Sequence, residues 1–158
     1  MTSKEDDLLD EPDEPQQDSL WSQLLRQTKL QLSQEVSQAQ LRQISPTALA
    51  YLGDAVYELY VRMFYLLPQE RPEMYHHLVV TQVRAETQAK MLRSLSPHLR
   101  STELEIVRRG RNAANRRPKR LDPETYQQAT SLETLIGYLY LTDFQRLAEL
   151  LRKLDLER

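Results

Sequence analysis

A long apolar helix interrupted by Gly53-Asp54 constrains the fold of this chain more than any other stretch of its 158 residues. Ser45 followed by Pro46 reads as an N-cap and a first-turn proline, so a helix begins there. Leu49, Leu52, Val56, Leu59 and Met63 then recur at helical spacing, which predicts a core face. Gly and Asp are both poor formers in mid-helix, and two unfavourable neighbours in an otherwise good helix mean that the site itself requires them. Glycine lets another backbone, a side chain or a ligand approach; aspartate supplies a hard anionic oxygen.

The same logic recurs in Ala129–Leu141. Leu132, Leu135, Ile136 and Leu139 make an apolar face, while Thr130, Glu133 and Gly137 form a polar-to-small stripe, again one carboxylate with a glycine one turn later. Two helices that each carry one inward-leaning carboxylate can share a hard divalent cation, because magnesium is held by one or two carboxylates with waters and phosphate oxygens completing the octahedron. A lone helical Asp or Glu is ordinarily a solvated surface residue, so spacing alone leaves both readings open.

These residues resemble a family. Leu52-Gly53-Asp54-Ala55-Val56 looks like the signature helix of ribonuclease III nuclease domains, and Glu133–Leu141 looks like their closing helix. Tyr57-Glu58-Leu59, the segment Val107–Ala113, and Pro118-Lys119 before Asp122 are similar to the Mini-ribonuclease III branch. The resemblance runs from about Leu41 to Leu151. Full-length ribonuclease III carries a Glu four residues before the signature Asp and an Asp three residues before the final Glu; this chain has Ala50 and Thr130 there. The resemblance therefore reduces a four-carboxylate cluster to Asp54 and Glu133, which it implies are catalytic residues and ligands of one Mg²⁺. Glu58, one turn after Asp54, is read either as a group behind that pair or as an exposed helical glutamate.

The resemblance further implies an all-α ribonuclease III-like endonuclease domain, a helical bundle forming a homodimer with the apolar signature helix in its interface. It implies magnesium-dependent, staggered cleavage of double-stranded RNA, leaving 5′-phosphate and 3′-hydroxyl ends. In the Mini branch that activity is expected to mature both ends of the large-subunit (23S) ribosomal RNA precursor, in the cytoplasm, during ribosome biogenesis, with ribosomal assembly intermediates as further partners. With Arg158 as the last residue, no double-stranded-RNA-binding domain is expected, and substrate choice falls to the nuclease domain.

Composition agrees. The formal net charge of −2 hides a segregation: residues 1–18 hold eight acids and one base, leaving 15 acids against 20 bases in the remainder. Residues 1–17 are expected to be a disordered acidic tail, and residues 18–158 the nuclease domain. Arg108, Arg109, Arg111, Arg116, Arg117, Lys119 and Arg120 crowd into thirteen residues, with Asn112 and Asn115 among them. Arginine forks grip phosphate oxygens and Asn reaches a 2′-hydroxyl or a base edge, so Arg108–Arg120, Asn112 included, is assigned to RNA. The lack of interleaved aromatics favours duplex shape over single-strand stacking, and seven cations without a nearby acid repel one another, which favours a polyanion over a solvated face. The chain has no cysteine, which excludes a thiolate metal site and fits a reducing compartment. No secretory signal or membrane span is expected.

The helical pattern predicts a short helix after Asp18-Ser19 carrying Leu20, Trp21, Leu24 and Leu25, and one over Gln34–Gln43. The signature helix is expected over Pro46–Leu66, and one helix over Pro72–Leu95 with Met74, Leu78, Val79, Val83 and Met91 inward. Thr102 with Glu105 predicts a capping box ahead of Leu104, Ile106 and Val107; Asn115–Leu121 reads as a loop. Asp122-Pro123 caps the Glu133 helix, and Thr142 with Gln145 a last helix through Leu147, Leu150, Leu151 and Leu154. Tyr51, Tyr57, Tyr60, Tyr138 and Tyr140 read as core or interface aromatics with polar tips. His76 and His77 are adjacent and point about 100° apart on a helix, so they make no metal pair. Two other functions stay open: a catalytically silent module that binds structured RNA, and a helical protein adaptor acting through its acidic tail.

Overall fold

A computed structural model describes residues 35–114 and 120–157. The expected acidic tail, the Trp21 helix, Asn115, Arg116, Arg117, Pro118 and Lys119 lie outside the described residues. Within them the fold is all-α, as expected, with seven α-helices: α1 (Gln38–Gln43), α2 (Pro46–Phe64), α3 (Pro72–Val83), α4 (Ala85–Leu95), α5 (Ser101–Ala113), α6 (Pro123–Thr142) and α7 (Phe144–Lys153). A 3₁₀ turn (Ser96–His98) joins α4 to α5.

The two long helices begin where the sequence expects. Ser45 Oγ accepts from the Ala48 amide at 3.1 Å, and an Asp122 carboxylate oxygen accepts from the Thr125 amide at 3.1 Å, each with proline at the first helical position. α6 is the hub, packing against α2, α4, α5 and α7. From Ala129 to Leu139 it is buried around most of its girth, as a central helix must be. Leu132, Leu135, Ile136 and Leu139 are all buried, each contributing about 1.5–3 kcal/mol. Its buried hydroxyls satisfy themselves locally: Ser131 donates to the Gln127 carbonyl and Thr134 to the Thr130 carbonyl, both at 2.7 Å.

All three glycines of the chain mark close approaches to α6. A Cβ on Gly53 would lie 2.8 Å from the Gly137 nitrogen and closer still to the Glu133 carbonyl oxygen; one on Gly137 would strike the Leu49 carbonyl. A Cβ on Gly110 would meet the Thr134 side chain, so α5 also packs down on α6. The α2–α6 crossing is a backbone-to-backbone contact that any side chain would hold open.

Several expectations need correction. The buried face of α2 is Leu49, Ala50, Gly53, Tyr57 and Val61, whereas Leu59 and Met63 are 62% and 61% exposed. The helix is apolar on two sides, and the intimate Gly53 contact, rather than the count of leucines, selects which side faces in. Pro72–Leu95 is two helices broken at Arg84, whose backbone is extended, and Met74 is exposed. The break carries no Gly or Pro; Thr87 and Gln88 side chains take the carbonyls it frees. The box at α5 is two residues earlier: Glu103, not Glu105, accepts from the Arg100 amide, and Glu103 is also held by Arg146. Likewise Asp143, not Thr142, caps α7. α2 stops at Phe64, and Leu104 is exposed.

Arg146 on α7 reaches Glu103 on α5 with two parallel hydrogen bonds at 2.8 and 2.9 Å and donates to the His98 carbonyl at 2.8 Å. The hydrogen bonds from Arg146 hold the Glu103 carboxyl below its usual range. This ion pair is buried, so loss of one partner would strand the other charge at a cost of about 3–5 kcal/mol. The tyrosine expectation holds for Tyr57, wholly buried with its hydroxyl on the Gln82 carbonyl, and for Tyr60, which donates to the Leu151 carbonyl at 3.1 Å. Tyr51 is 85% exposed and so lies outside the core, which leaves the interface reading for it.

Candidate active site

The α2–α6 crossing brings together the two helical segments that the sequence singles out. Gly53 lies against the Glu133 backbone, and the neighbouring residue, Asp54, acts electrostatically on the Glu133 carboxyl. Asp54 is exposed; Glu133 is half-buried. Burial first, and then the adjacent Asp54, push the Glu133 carboxyl up to about 7; a hydrogen bond from Gln88 opposes the rise. The Asp54 carboxyl is also raised, by desolvation and then by Glu58. A carboxylate raised by a neighbouring one, as Glu133 is by Asp54, stores repulsion that a shared cation relieves.

Among the described residues no group of three or more His, Cys, Asp or Glu side chains is placed to hold a metal ion, so Asp54 and Glu133 stand as a pair of carboxylates and not as part of a larger cluster. A pair suits a magnesium-sized ion that keeps most of its waters. The donor set fits in one further respect: Gln88, on α4, is 2% exposed and its Oε1 is buried without a hydrogen-bond partner. Glu58 lies behind Asp54 and accepts from Arg62 at 2.8 Å, which turns it toward its own helix. A cavity of about 430 Å³ between α1, α2, α5 and α6, lined by Leu49, Ile106, Arg109 and Tyr138 among others, includes neither Asp54 nor Glu133. Asp54 itself lies at the exposed surface, where a bulky substrate can reach it.

The basic segment is brought up from α5. Arg108, Arg109, Arg111 and Asn112 are exposed along its last turns, and Arg120 is exposed in the turn before α6. Arg116, Arg117 and Lys119 lie outside the described residues. The expectation that these cations have no acid nearby fails: Glu105 pairs with Arg108 at 2.6 Å and Arg109 at 3.5 Å, and Glu124 pairs with Arg111 at 2.6 Å. Helical i,i+3 and i,i+4 spacing reaches back to Glu105, and Glu124 enters from α6. Exposed pairs of this kind hold weakly, so they orient the guanidinium groups without removing them from a competing phosphate. Gln88, Glu103 and Arg146 carry no sequence signal, since a Gln, Glu or Arg on a helix is ordinarily solvated. His76 and His77 are exposed, and no described helix is long and apolar enough to cross a membrane.

Comparison with known proteins identifies the domain. Residues 47–143 match the Ribonuclease III domain. A Mini-ribonuclease 3 from Synechococcus sp. is 60% identical over 119 residues, covering 75% of this chain and 86% of the relative. One from Synechocystis sp. is 57% identical over 116 residues, covering 73% and 81%. A crystal structure of a Fusobacterium nucleatum protein superposes with a TM-score of 0.65 at 26% identity, covering 76% of this chain and 95% of that one. The chain belongs to the ribonuclease III family, in its Mini-ribonuclease 3 branch, and is an endoribonuclease of a family that acts on double-stranded RNA and generally depends on a divalent metal.

Proposed function

We propose that Asp54 and Glu133 together hold one Mg²⁺ and that this pair is the catalytic centre for cleaving double-stranded RNA. The observation that carries the reading is the glycine-made helix crossing, which sets Asp54 close enough to Glu133 to raise its carboxyl. The ion, when bound, activates water and polarises the scissile phosphate for in-line attack. Asp54 presents an exposed oxygen to solvent and substrate, while half-buried Glu133 keeps a fixed direction because α2 and α6 cannot shift at Gly53 and Gly137. Arg108, Arg109, Arg111, Asn112, Arg116, Arg117, Lys119 and Arg120 bind the duplex through phosphates and 2′-hydroxyls.

One such centre cuts one strand, so two are needed for a duplex, and a homodimer with two-fold symmetry supplies them. Tyr51, Ala55, Leu59 and Met63 support this: they recur every four residues on α2, all exposed, and continue into exposed Leu66 and Leu67. A stripe of that kind on a helix is a surface built to be covered. The resemblance to the Mini branch supports a cytoplasmic role in maturing the ends of the 23S ribosomal RNA precursor.

The test is cleavage of a duplex-rich 23S precursor by the wild-type chain and by Asp54→Asn, each with Mg²⁺ and with EDTA. Cutting is expected only for wild type with Mg²⁺, with RNA affinity nearly equal in both proteins. Cutting by Asp54→Asn would remove Asp54 from the site; tight binding without cutting by either protein would make the chain a silent RNA-binding module.

A further inference from the structure

The break between α3 and α4 is held open by side chains. Thr87 Oγ1 donates to the Thr81 carbonyl at 2.7 Å, and Gln88 Nε2 donates to the Val83 carbonyl at 2.8 Å. Capping alone would leave the rest of Gln88 in solvent. Instead the side chain is buried, and its amide acts on the Glu133 carboxyl of α6, opposing the rise in its pKa. A primary amide offers two donors and an acceptor oxygen. The nitrogen is engaged by the Val83 carbonyl, an acceptor, so the amide cannot be turned over without setting oxygen against oxygen. Oε1 is thereby left buried with no partner among the described residues. A buried acceptor left unmet is costly, and an amide that also acts on Glu133 points to a polar occupant at that carboxylate as what meets it.

We propose that Gln88 is a positioning residue of the cation site: Nε2 ties the Glu133 carboxylate to the Val83 carbonyl, and Oε1 accepts a hydrogen bond from a water on the cation. This rests on the reading of Asp54 and Glu133 as the cation's ligands. Magnesium and manganese retain several waters in such sites, and groups behind the ligands fix ligand direction and water orientation. The unsignalled break at Arg84 then has a purpose. It frees the Val83 carbonyl to anchor Gln88, which a continuous helix would have used up in its own ladder.

The experiment follows free Mn²⁺ by electron paramagnetic resonance as it is titrated into the full chain. Wild type, Gln88→Met (similar length, no hydrogen-bonding group) and Asp54→Asn are compared. Asp54→Asn is expected to lose the site. Gln88→Met is expected to bind Mn²⁺ about 10–100-fold more weakly, with melting temperature and duplex RNA affinity in EDTA at wild-type values, and with cleavage restored by excess metal. Wild-type Mn²⁺ affinity in Gln88→Met, with Asp54→Asn still defective, would overturn the role of Gln88 alone. Undiminished binding by Asp54→Asn would overturn the cation site and this proposal together. Should Gln88→Met fail to fold, the side-chain amide resonances of Gln88 in the unsubstituted chain are followed during Mg²⁺ addition. They are expected to shift with site occupancy, and an amide that does not move refutes the proposal.

Discussion

Glu133→Gln is expected to make the cation-free chain more stable above neutral pH while abolishing cleavage. In the folded chain, burial and the neighbouring Asp54 hold the Glu133 carboxyl at about 7 instead of its ordinary 4.5. The unfolded chain therefore releases this proton near 4.5, whereas the folded chain keeps it to about 7. Between those values the folded state binds the extra proton, so stability falls as pH rises through the window, and the loss is complete above it. At about 1.4 kcal/mol per pH unit the ceiling is about 3 kcal/mol; partial exposure of the side chain brings the expected loss toward ~2 kcal/mol. Glutamine has the shape of the protonated acid and no charge to desolvate. Urea unfolding in EDTA should thus give matching stabilities for wild type and Glu133→Gln at pH 5 and a gap of ~2 kcal/mol in favour of the variant at pH 8. Millimolar Mg²⁺ should close the gap by stabilising wild type only, since only it binds the ion in the folded state. Parallel stability curves from pH 5 to pH 8 would show that Glu133 is an ordinary solvated carboxylate and that the repulsion inferred at the crossing does not exist.

Gly53→Ala should cost about 3 kcal/mol and lower Tm by about 10 °C, because its Cβ has no room beside the Glu133 and Gly137 backbones; an unchanged Tm would mean that the two helices part freely. Leu59→Glu combined with Met63→Glu should convert a dimer into a monomer in sedimentation and reduce duplex cleavage. A variant that stays dimeric would move the interface off this face of α2. Arg116→Ala with Arg117→Ala should weaken duplex binding and reduce the slope of log affinity against log salt by about 1 to 2, and a retained slope would place the phosphate contacts elsewhere.

The helix class and the two carboxylates were legible because their signals are local. Ser45-Pro46 and Asp122-Pro123 announce helix starts through capping chemistry that acts within three residues, and both caps form. Gly53 and Gly137 were legible as violations of propensity, and the structure gives the physical reason: each admits the other helix's backbone. What stayed hidden depends on tertiary partners. Leu59 and Met63 fit a core period as well as Tyr57 and Val61 do, and only the crossing point decides between the two faces. The break at Arg84 has no Gly or Pro to mark it, being held by the side chains of Thr87 and Gln88. Glu103 and Arg146 are 43 residues apart and read as surface charges until α5 and α7 bury them against each other. The arginine segment was legible as cationic, but the screening by Glu105 and Glu124 was missed; the first follows from helical spacing, and the second needs α6 beside α5.

The most direct measurement is anomalous diffraction from crystals of the full chain soaked in Mn²⁺, for wild type and for Asp54→Asn. The account predicts one strong peak in wild type, within coordinating distance of carboxylate oxygens from both Asp54 and Glu133, and no peak there in the variant. A wild-type peak that touches only one of these carboxylates, or that survives Asp54→Asn, would contradict it.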